Sequence, residues 1–375
     1  MDAVPKTSAT PTSRSALTSG TLSHSLNGED SEGLATVSRA VDVGTETGSA
    51  PLMDRHGRRH TYLRVSITDR CNLRCRYCMP AEGIEWTPRD QLLSFEEIQR
   101  VVAALAEVGV NKVRITGGEP TVRRGVETLI ESVAGTPGIT EVCMTTNGTT
   151  LGKMAGRYRS AGLDVLNISL DSLRADRFEE ITRTKKFDQV LRGIDAALEA
   201  GFAPIKLNVV AMRGVNEDEV CDFVEFVRDR PINVRFIEFM PFEGNSWSRA
   251  KFLPYQEMIS DLERRYKLTP LPERPNQVAR DFSIEGCEGT ISFITSMSEN
   301  FCAGCNRIRL TAQGDIKACL FMTPGARLRE RLRSGADSEE IVEVVRGAIL
   351  QKWPGHPGAE NLLSLKNASM IQIGG

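Results

Sequence analysis

Residues Arg64 to Cys78 read R-V-S-I-T-D-R-C-N-L-R-C-R-Y-C, a short apolar strand pattern followed by three cysteines, Cys71, Cys75 and Cys78, within eight residues. Three thiolates this close can converge on one inorganic centre, because thiolates are the usual ligands of iron–sulfur clusters and of zinc. A closed structural zinc site takes four ligands, and no fourth Cys or His lies nearby in the chain. A four-iron cluster on three thiolates keeps one iron open for chemistry. The spacing alone leaves both readings standing, including a zinc knuckle whose fourth ligand comes from elsewhere.

Working outward from this stretch, short β-branched runs alternate with helical patterns, the order expected of β/α units around a parallel sheet. The pattern predicts strands at Tyr62–Ile67, Lys112–Thr116, Glu141–Thr145, Asp164–Leu170, Pro204–Met212 and Asn233–Phe239. Between the first two, Ser94 and Glu97 form a capping box ahead of Phe95, Ile98, Val101, Val102, Leu105 and Val108, and Gly109 supplies the stop. Asp188–Gly201 and Asn216–Asp229 repeat that grammar. Six units are visible where a closed barrel needs eight, so the fold class is α/β, an open, partial TIM-like barrel of about six units. Residues 51–270 would form it, and 271–375 a C-terminal extension.

In such barrels, working residues sit at the carboxyl ends of strands. The second predicted strand runs into Thr116-Gly117-Gly118-Glu119-Pro120, and the third into Thr145-Thr146-Asn147-Gly148. The fourth carries Ser169 and Asp171, and the sixth ends at Glu238 and Met240. Each alone reads as turn chemistry or packing; their shared rim makes them a candidate site. Beyond residue 270 the rhythm stops at Pro270, Pro272 and Pro275, and short strand-like pieces such as Gly289–Thr295 follow. There Cys302-Ala303-Gly304-Cys305-Asn306-Arg307-Ile308-Arg309 is completed by Cys319, again three cysteines without an obvious fourth ligand. Two such sites argue for two iron–sulfur clusters. Arg64, Arg114, Lys206, Arg307 and Arg309 would surround one cavity; each could pair with Glu119, Asp171 or Glu238, but five together favour an anionic ligand.

The chain has 375 residues, with 47 Lys+Arg against 49 Asp+Glu, so no global field argues for nucleic acid or a membrane surface. No apolar run approaches the ~20 residues that span a bilayer. Nine clustered cysteines do not resemble a secreted disulfide framework, and Cys143, Cys221 and Cys287 read as ordinary thiols, so a cytoplasmic location is expected. Seventeen of the first fifty residues are Ser or Thr and none is aromatic, so residues 1–50 are expected to be a disordered tail. With six acidic against three basic residues, that tail lacks the bias of a transit peptide.

C-x-x-x-C-x-x-C with Tyr77 before the last cysteine resembles the signature of the radical S-adenosylmethionine enzymes. In that family the open iron chelates the cofactor's methionine part, and one electron releases a 5′-deoxyadenosyl radical. The second group, C-x-x-C-N-R-x-R with thirteen residues between Cys305 and Cys319 and a chain ending Gly374-Gly375, is similar to the GTP 3′,8-cyclases of molybdenum-cofactor biosynthesis, the MoaA family. The resemblance runs from about Tyr62 to Gly375. It implies two [4Fe-4S] clusters, the first on Cys71, Cys75 and Cys78 and the second on Cys302, Cys305 and Cys319, whose open iron takes the guanine base. It also explains the missing G-x-x-x-x-G-K-[ST] phosphate loop. By family position Tyr77, Gly118, Ser169 and Met240 contact S-adenosylmethionine, while Arg64, Arg114, Thr145, Lys206, Arg307, Ile308 and Arg309 contact GTP. No acid or base side chain is assigned. A low-potential electron donor and a downstream cyclic pyranopterin monophosphate synthase are the implied partners, and a homodimer is compatible with the sequence. Two other readings remain: a radical enzyme of peptide maturation with an auxiliary cluster, and a non-catalytic zinc-binding protein.

Overall fold

All six predicted strands form, and the alternation of their side chains explains what they carry. They are β1 (Tyr62–Ser66), β2 (Lys112–Thr116), β3 (Glu141–Thr146), β4 (Val165–Ser169), β5 (Ile205–Ala211) and β6 (Ile232–Glu238), parallel neighbours in chain order. The computed structural model describes residues 50–80, 82–365 and 368–374. The tail expected over residues 1–50 therefore lies, but for Ala50, outside the described residues, as does Gly375.

Six more strands extend the same sheet: β7 (Leu268–Pro270), β8 (Arg280–Ile284), β9 (Thr290–Ile294), β10 (Arg307–Leu310), β11 (Asp315–Lys317) and β12 (Ala326–Arg327). The order is β12-β11-β10-β1-β2-β3-β4-β5-β6-β9-β8-β7, with an edge at either end, so the sheet stays open. β10 lies parallel to β1 and β9 parallel to β6, while the outermost strands are antiparallel. Strands from beyond residue 270 thus flank the central six on both sides.

Because successive side chains point to opposite faces, each strand splits into two rows. One row is apolar: Leu63 and Val65, Val113 and Ile115, Val142 and Met144, Leu166 and Ile168, Leu207 and Val209, Val234 and Phe236 all belong to the buried core. Helices cover this row. The helix Phe95–Glu107 starts as expected, with Ser94 Oγ accepting from the Glu97 N–H at 3.1 Å and Glu97 Oε2 accepting from the Ser94 N–H at 2.8 Å. It buries Ile98, Val101, Val102 and Leu105, and Gly109 takes the left-handed conformation (φ +95°) that ends it. A helix runs over Phe187–Glu199, close to expectation, but the one expected over Asn216–Asp229 is reduced to a 3-10 turn and Val220–Phe226. The buried Glu219 carboxylate accepts there from Ser172 Oγ, the Leu173 N–H and Arg177, fastening the start of this segment to the loop after β4. No helix among the described residues is long and apolar enough to cross a membrane.

The other row is polar. It presents Tyr62, Arg64 and Ser66 on β1, and Lys112, Arg114 and Thr116 on β2. Beyond these come Cys143 and Thr145 on β3, Asn167 and Ser169 on β4, Lys206 and Asn208 on β5, and Asn233 and Arg235 on β6. A parallel sheet covered on both sides normally reads apolar on both. This one keeps a polar face, which positions the site.

Candidate active site

The loop after β1 carries the first cysteine group and is fixed by its own backbone. The N–H groups of Cys78 and Met79 donate to Cys75 O at 3.1 and 3.0 Å, and those of Arg74 and Arg76 donate to Thr182 O and Ile181 O. Gly117 and Gly118 press on the same loop: a Cβ on Gly117 would stand 2.7 Å from Thr68 O, and one on Gly118 2.5 Å from Asp69 O. The glycines are needed here for backbone packing that holds the cysteine loop, ahead of any contact with a ligand. Cys71, Cys75 and Cys78 are each half-buried. Burial pushes the Cys71 thiol up to about 11 and the Cys78 thiol up to about 12, and raises Cys75 as well, with neighbouring Cys and Asp171 charges adding to the shift at Cys75 and Cys78.

These thiols fit the group that the motif implies. They are close enough to repel one another as thiolates, with the Arg74 charge easing Cys71, and a metal centre would supply positive charge to all three. Among the described residues no three Cys, His, Asp or Glu side chains converge tightly enough to hold a single metal ion.

Around this loop the strand ends are braced by carboxylates. Tyr77 Oη donates to Asp171 Oδ2 at 2.7 Å, while Asp171 Oδ1 accepts from the Val210 N–H at 2.8 Å. Burial raises the Asp171 carboxyl to about 6. Buried Glu119 accepts from Thr146 Oγ1 at 2.7 Å, the Asn147 N–H at 2.6 Å and Thr121 Oγ1 at 2.6 Å, tying the end of β2 to that of β3. Glu238 accepts from the Tyr255, Met297 and Ser298 N–H groups. Each of the three carboxylates considered as an arginine partner thus serves hydroxyls and backbone amides.

The cations lie along the polar face. Arg64 stands in register with Arg114 on one side and Arg309 on the other, and Arg309 with Lys317. Arg114 donates to Asn167 Oδ1 at 2.8 Å, Met144 O at 3.2 Å and Thr145 Oγ1 at 3.4 Å, so Thr145 is bracketed by it. Burial together with neighbouring cations holds Lys206 down to about 8, Lys317 down to about 8 and Arg235 down to about 10. Asn208 Oδ1 on the same face is buried without a hydrogen-bond partner. A face so crowded with positive charge is relieved by an anion. Ile308 is placed differently: it is fully buried in the apolar row, so only its main chain borders the polar face. Ser169 is on the polar face, in register with Asn208, and Met240 packs at the edge of a small cluster of Phe242, Phe321, Leu362 and Ile373.

The second cysteine group closes the other end. Cys305 stands two residues before β10, whose Arg307 pairs in register with Tyr62 at the start of β1, whereas Cys71 follows the end of β1. The two triplets therefore sit at opposite ends of the strands, with the cations between them, and not on one rim. Cys302, Cys305 and Cys319 are half-buried. Although burial raises it, Cys305 is held down to about 6 by Arg307 and Lys352, whose Nζ lies 3.3 Å from its sulfur. At the first end Gly374 has φ +77°, and a Cβ there would stand 2.5 Å from Ser66 Cβ and 2.9 Å from Thr116 Oγ1, so a residue without a side chain is required.

Sequence reasoning missed Arg235, Lys317 and Lys352. Strand alternation could have found the first, because Arg235 shares its face with Asn233. Lys317 stood two residues before Cys319, and nothing in the sequence points from Lys352 to Cys305.

Residues 65–227 match the Radical SAM superfamily and residues 232–357 match Molybdenum Cofactor Synthesis C. The mitochondrial GTP 3′,8-cyclase of Arabidopsis thaliana is 47% identical over 362 residues, covering 95% of this chain and 93% of that protein. The GTP 3′,8-cyclase of Desulforamulus reducens is 43% identical over 327 residues, covering 86% of this chain and 100% of that protein. Molybdenum cofactor biosynthesis protein 1 of Mus musculus is 46% identical over 327 residues, which span about half (51%) of its length. Among solved structures, SuiB of Streptococcus suis bound to S-adenosylmethionine superposes with a TM-score of 0.54 at 16% identity, covering 78% of this chain and 68% of that one, a likeness of fold. With a radical SAM core, the matching C-terminal region and relatives of this similarity along most of its length, the chain belongs to the GTP 3′,8-cyclase family.

Proposed function

We propose that this chain cyclises GTP to 3′,8-cyclo-7,8-dihydro-GTP at the expense of S-adenosylmethionine, the first step of molybdenum-cofactor biosynthesis. The observation that carries the reading is the placement of two half-buried cysteine triplets at opposite ends of one sheet face lined with cations. Cys71, Cys75 and Cys78 would hold the first cluster, and Cys302, Cys305 and Cys319 the second. When bound, the first cluster and S-adenosylmethionine would supply the 5′-deoxyadenosyl radical that takes a hydrogen atom from ribose C3′ of GTP; C3′ could then bond guanine C8, and one further electron from the low-potential donor with a proton from solvent would quench the base radical to the dihydro product.

The chain's own residues do the rest. Arg64, Lys206, Arg235 and Arg309 line the face from which a triphosphate would be gripped, and an anion there relieves the repulsion that burial imposes on them. Arg114 holds β1, β3 and β4 in register through Tyr62, Thr145 and Asn167. Tyr77, fixed by Asp171, and Gly118, Ser169 and Met240 border the first cysteine end, where S-adenosylmethionine would lie. Gly374, pressed on Ser66 and Thr116, would help close that end against water, which a radical reaction requires. The finer parts of the reading are a second cluster that binds the guanine base, a low-potential electron donor, and delivery of the product to a cyclic pyranopterin monophosphate synthase. A reducing compartment suits nine free cysteines; the cytoplasm is the location proposed, and a mitochondrial matrix would meet the same need.

The test is anaerobic reconstitution followed by addition of S-adenosylmethionine, dithionite and GTP. The reading expects 5′-deoxyadenosine and a cyclised nucleotide in equal amounts; cofactor cleavage indifferent to GTP would refute it.

A further inference from the structure

The second cysteine group is gripped from two distant parts of the chain. Lys352 follows the helix Ser338–Ile349 and is 4% exposed. Its Nζ lies 3.3 Å from Cys305 Sγ, 2.9 Å from Arg307 O and 3.4 Å from Cys305 O. The turn that carries it is clasped by residues before β1. His56 Nε2 is 3.1 Å from Lys352 O, and Arg58 donates to Trp353 O at 2.6 Å, Pro354 O at 3.0 Å and Cys302 O at 2.8 Å. Arg58 is itself fixed by Asp54 at 2.6 Å, and Asp54 also faces His60 Nε2 at 3.1 Å. One guanidinium thereby sets the spacing between the Cys302 backbone and the Lys352 turn.

A buried ammonium is costly unless an anion faces it. The acceptors that meet Lys352 are two carbonyls and the Cys305 sulfur, and of these three the sulfur is the one that carries negative charge when it ligates a metal centre as a thiolate. Arg307 also reaches that sulfur, at 3.5 Å. We propose that Lys352 is a positioning residue of the second cysteine group: it fixes the Cys305 thiolate and, through its charged N–H···S bond, raises the reduction potential of the centre that this thiolate ligates. The proposal rests on the reading that Cys302, Cys305 and Cys319 hold an iron–sulfur cluster. A cationic donor at a ligand sulfur stabilises the added electron of the reduced cluster, so its removal makes reduction harder.

The experiment compares full-length reconstituted wild type with Lys352→Met, Lys352→Arg and Cys305→Ala. It reads iron per chain, thermal melting, and the midpoint potential of each cluster by electron paramagnetic resonance. Wild type should carry about eight irons and Cys305→Ala about four. Lys352→Met should move only the second cluster to a more negative midpoint, by about tenfold in its reduced-to-oxidised ratio, which is about 59 mV for one electron. Selective loss of the second cluster from a folded Lys352→Met protein would equally support the role. Lys352→Arg should restore most of the wild-type value. If Lys352→Met does not fold, Arg58→Lys, which loosens the same turn, should shift the second cluster in the same direction and leave the first unchanged. Eight irons with an unshifted second midpoint in the variant overturns the role of Lys352 alone. Four irons in wild type, unaltered by Cys305→Ala, overturns the second-cluster reading and this inference with it.

Discussion

Lys206 on β5 and Arg235 on β6 are diagonal neighbours on the same polar face, with Lys206 in register with Asn233 and Asn208 in register with Arg235. Burial, with the Arg235 charge next, holds the Lys206 ammonium down to about 8. Two crowded cations are a liability to the fold by themselves and an asset once a triphosphate binds.

Replacing Lys206 by Met should weaken GTP binding by about ten- to a hundredfold, the range of a lost charge-assisted hydrogen bond of ~1.5–3 kcal/mol. Melting of the ligand-free variant should be unchanged or higher, since a repelled charge is gone. Wild-type affinity in a folded variant would remove Lys206 from the site. The lowered value also fixes a sign: between about 8 and the ordinary 10.5 the unfolded chain binds more protons at this group, so its contribution to stability rises with pH across that window. GTP should reverse the shift, so binding near pH 9 takes up protons in wild type and less in Lys206→Met, as calorimetry in buffers of different ionisation heat would read.

His60 provides an acid-side counterpart. Burial, then the Lys352 charge, hold it down to about 4, while Asp54 beside it is held down to about 2 by the Arg58 and His56 bonds that outweigh its burial. For His60 the unfolded state binds more protons between about 4 and 6.5, so stability from the neutral imidazole is present above that window and lost as pH falls through it. Asp171, raised to about 6, works in the opposite sense between 3.8 and 6, so the wild-type curve alone does not isolate His60. The difference between wild type and His60→Asn does: it should shrink as pH drops from 6.5 to 4. A difference flat with pH would show that His60 is not buried neutral.

Much of this was readable in the chain. All six central strands were located to within about two residues, because β-branched runs bounded by glycine and polar caps encode them locally. The capping box at Ser94 and the cysteine spacings were equally local. What escaped depends on distance along the chain. That β10 would lie beside β1, and β9 beside β6, is a pairing of segments far apart, which no local pattern records. The same pairing decides that Cys305 and Cys71 end up at opposite ends of the strands. Arg235 is legible only by alternation: Arg64, Arg114 and Lys206 mark the polar row on their own strands, and two residues on from Asn233 the same row reaches Arg235.

Gly374→Ala should lower turnover at least tenfold with iron content unchanged. The left-handed backbone costs a side-chain-bearing residue ~1–2 kcal/mol, and the added methyl meets Ser66 Cβ at 2.5 Å. Adding Ser66→Gly should recover part of the loss by removing the closest clash and leaving the Thr116 Oγ1 contact and the backbone strain. Unaltered turnover in the single variant would mean that this end of the chain does not close the site.

The two cysteine groups should separate on mutation. Cys75→Ala should lose about four irons and all 5′-deoxyadenosine. Cys305→Ala should also lose about four, yet keep cofactor cleavage that GTP no longer stimulates. Full cleavage by Cys75→Ala would contradict the assignment of the first group.

The most direct measurement of the central claim uses GTP deuterated at ribose C3′. With the reconstituted wild-type protein, S-adenosylmethionine and a reductant, mass spectrometry should find deuterium in the 5′-deoxyadenosine, in step with formation of the cyclised nucleotide. Unlabelled 5′-deoxyadenosine formed alongside consumed GTP would contradict hydrogen transfer from C3′, and with it the account of what this face of the sheet is built to hold.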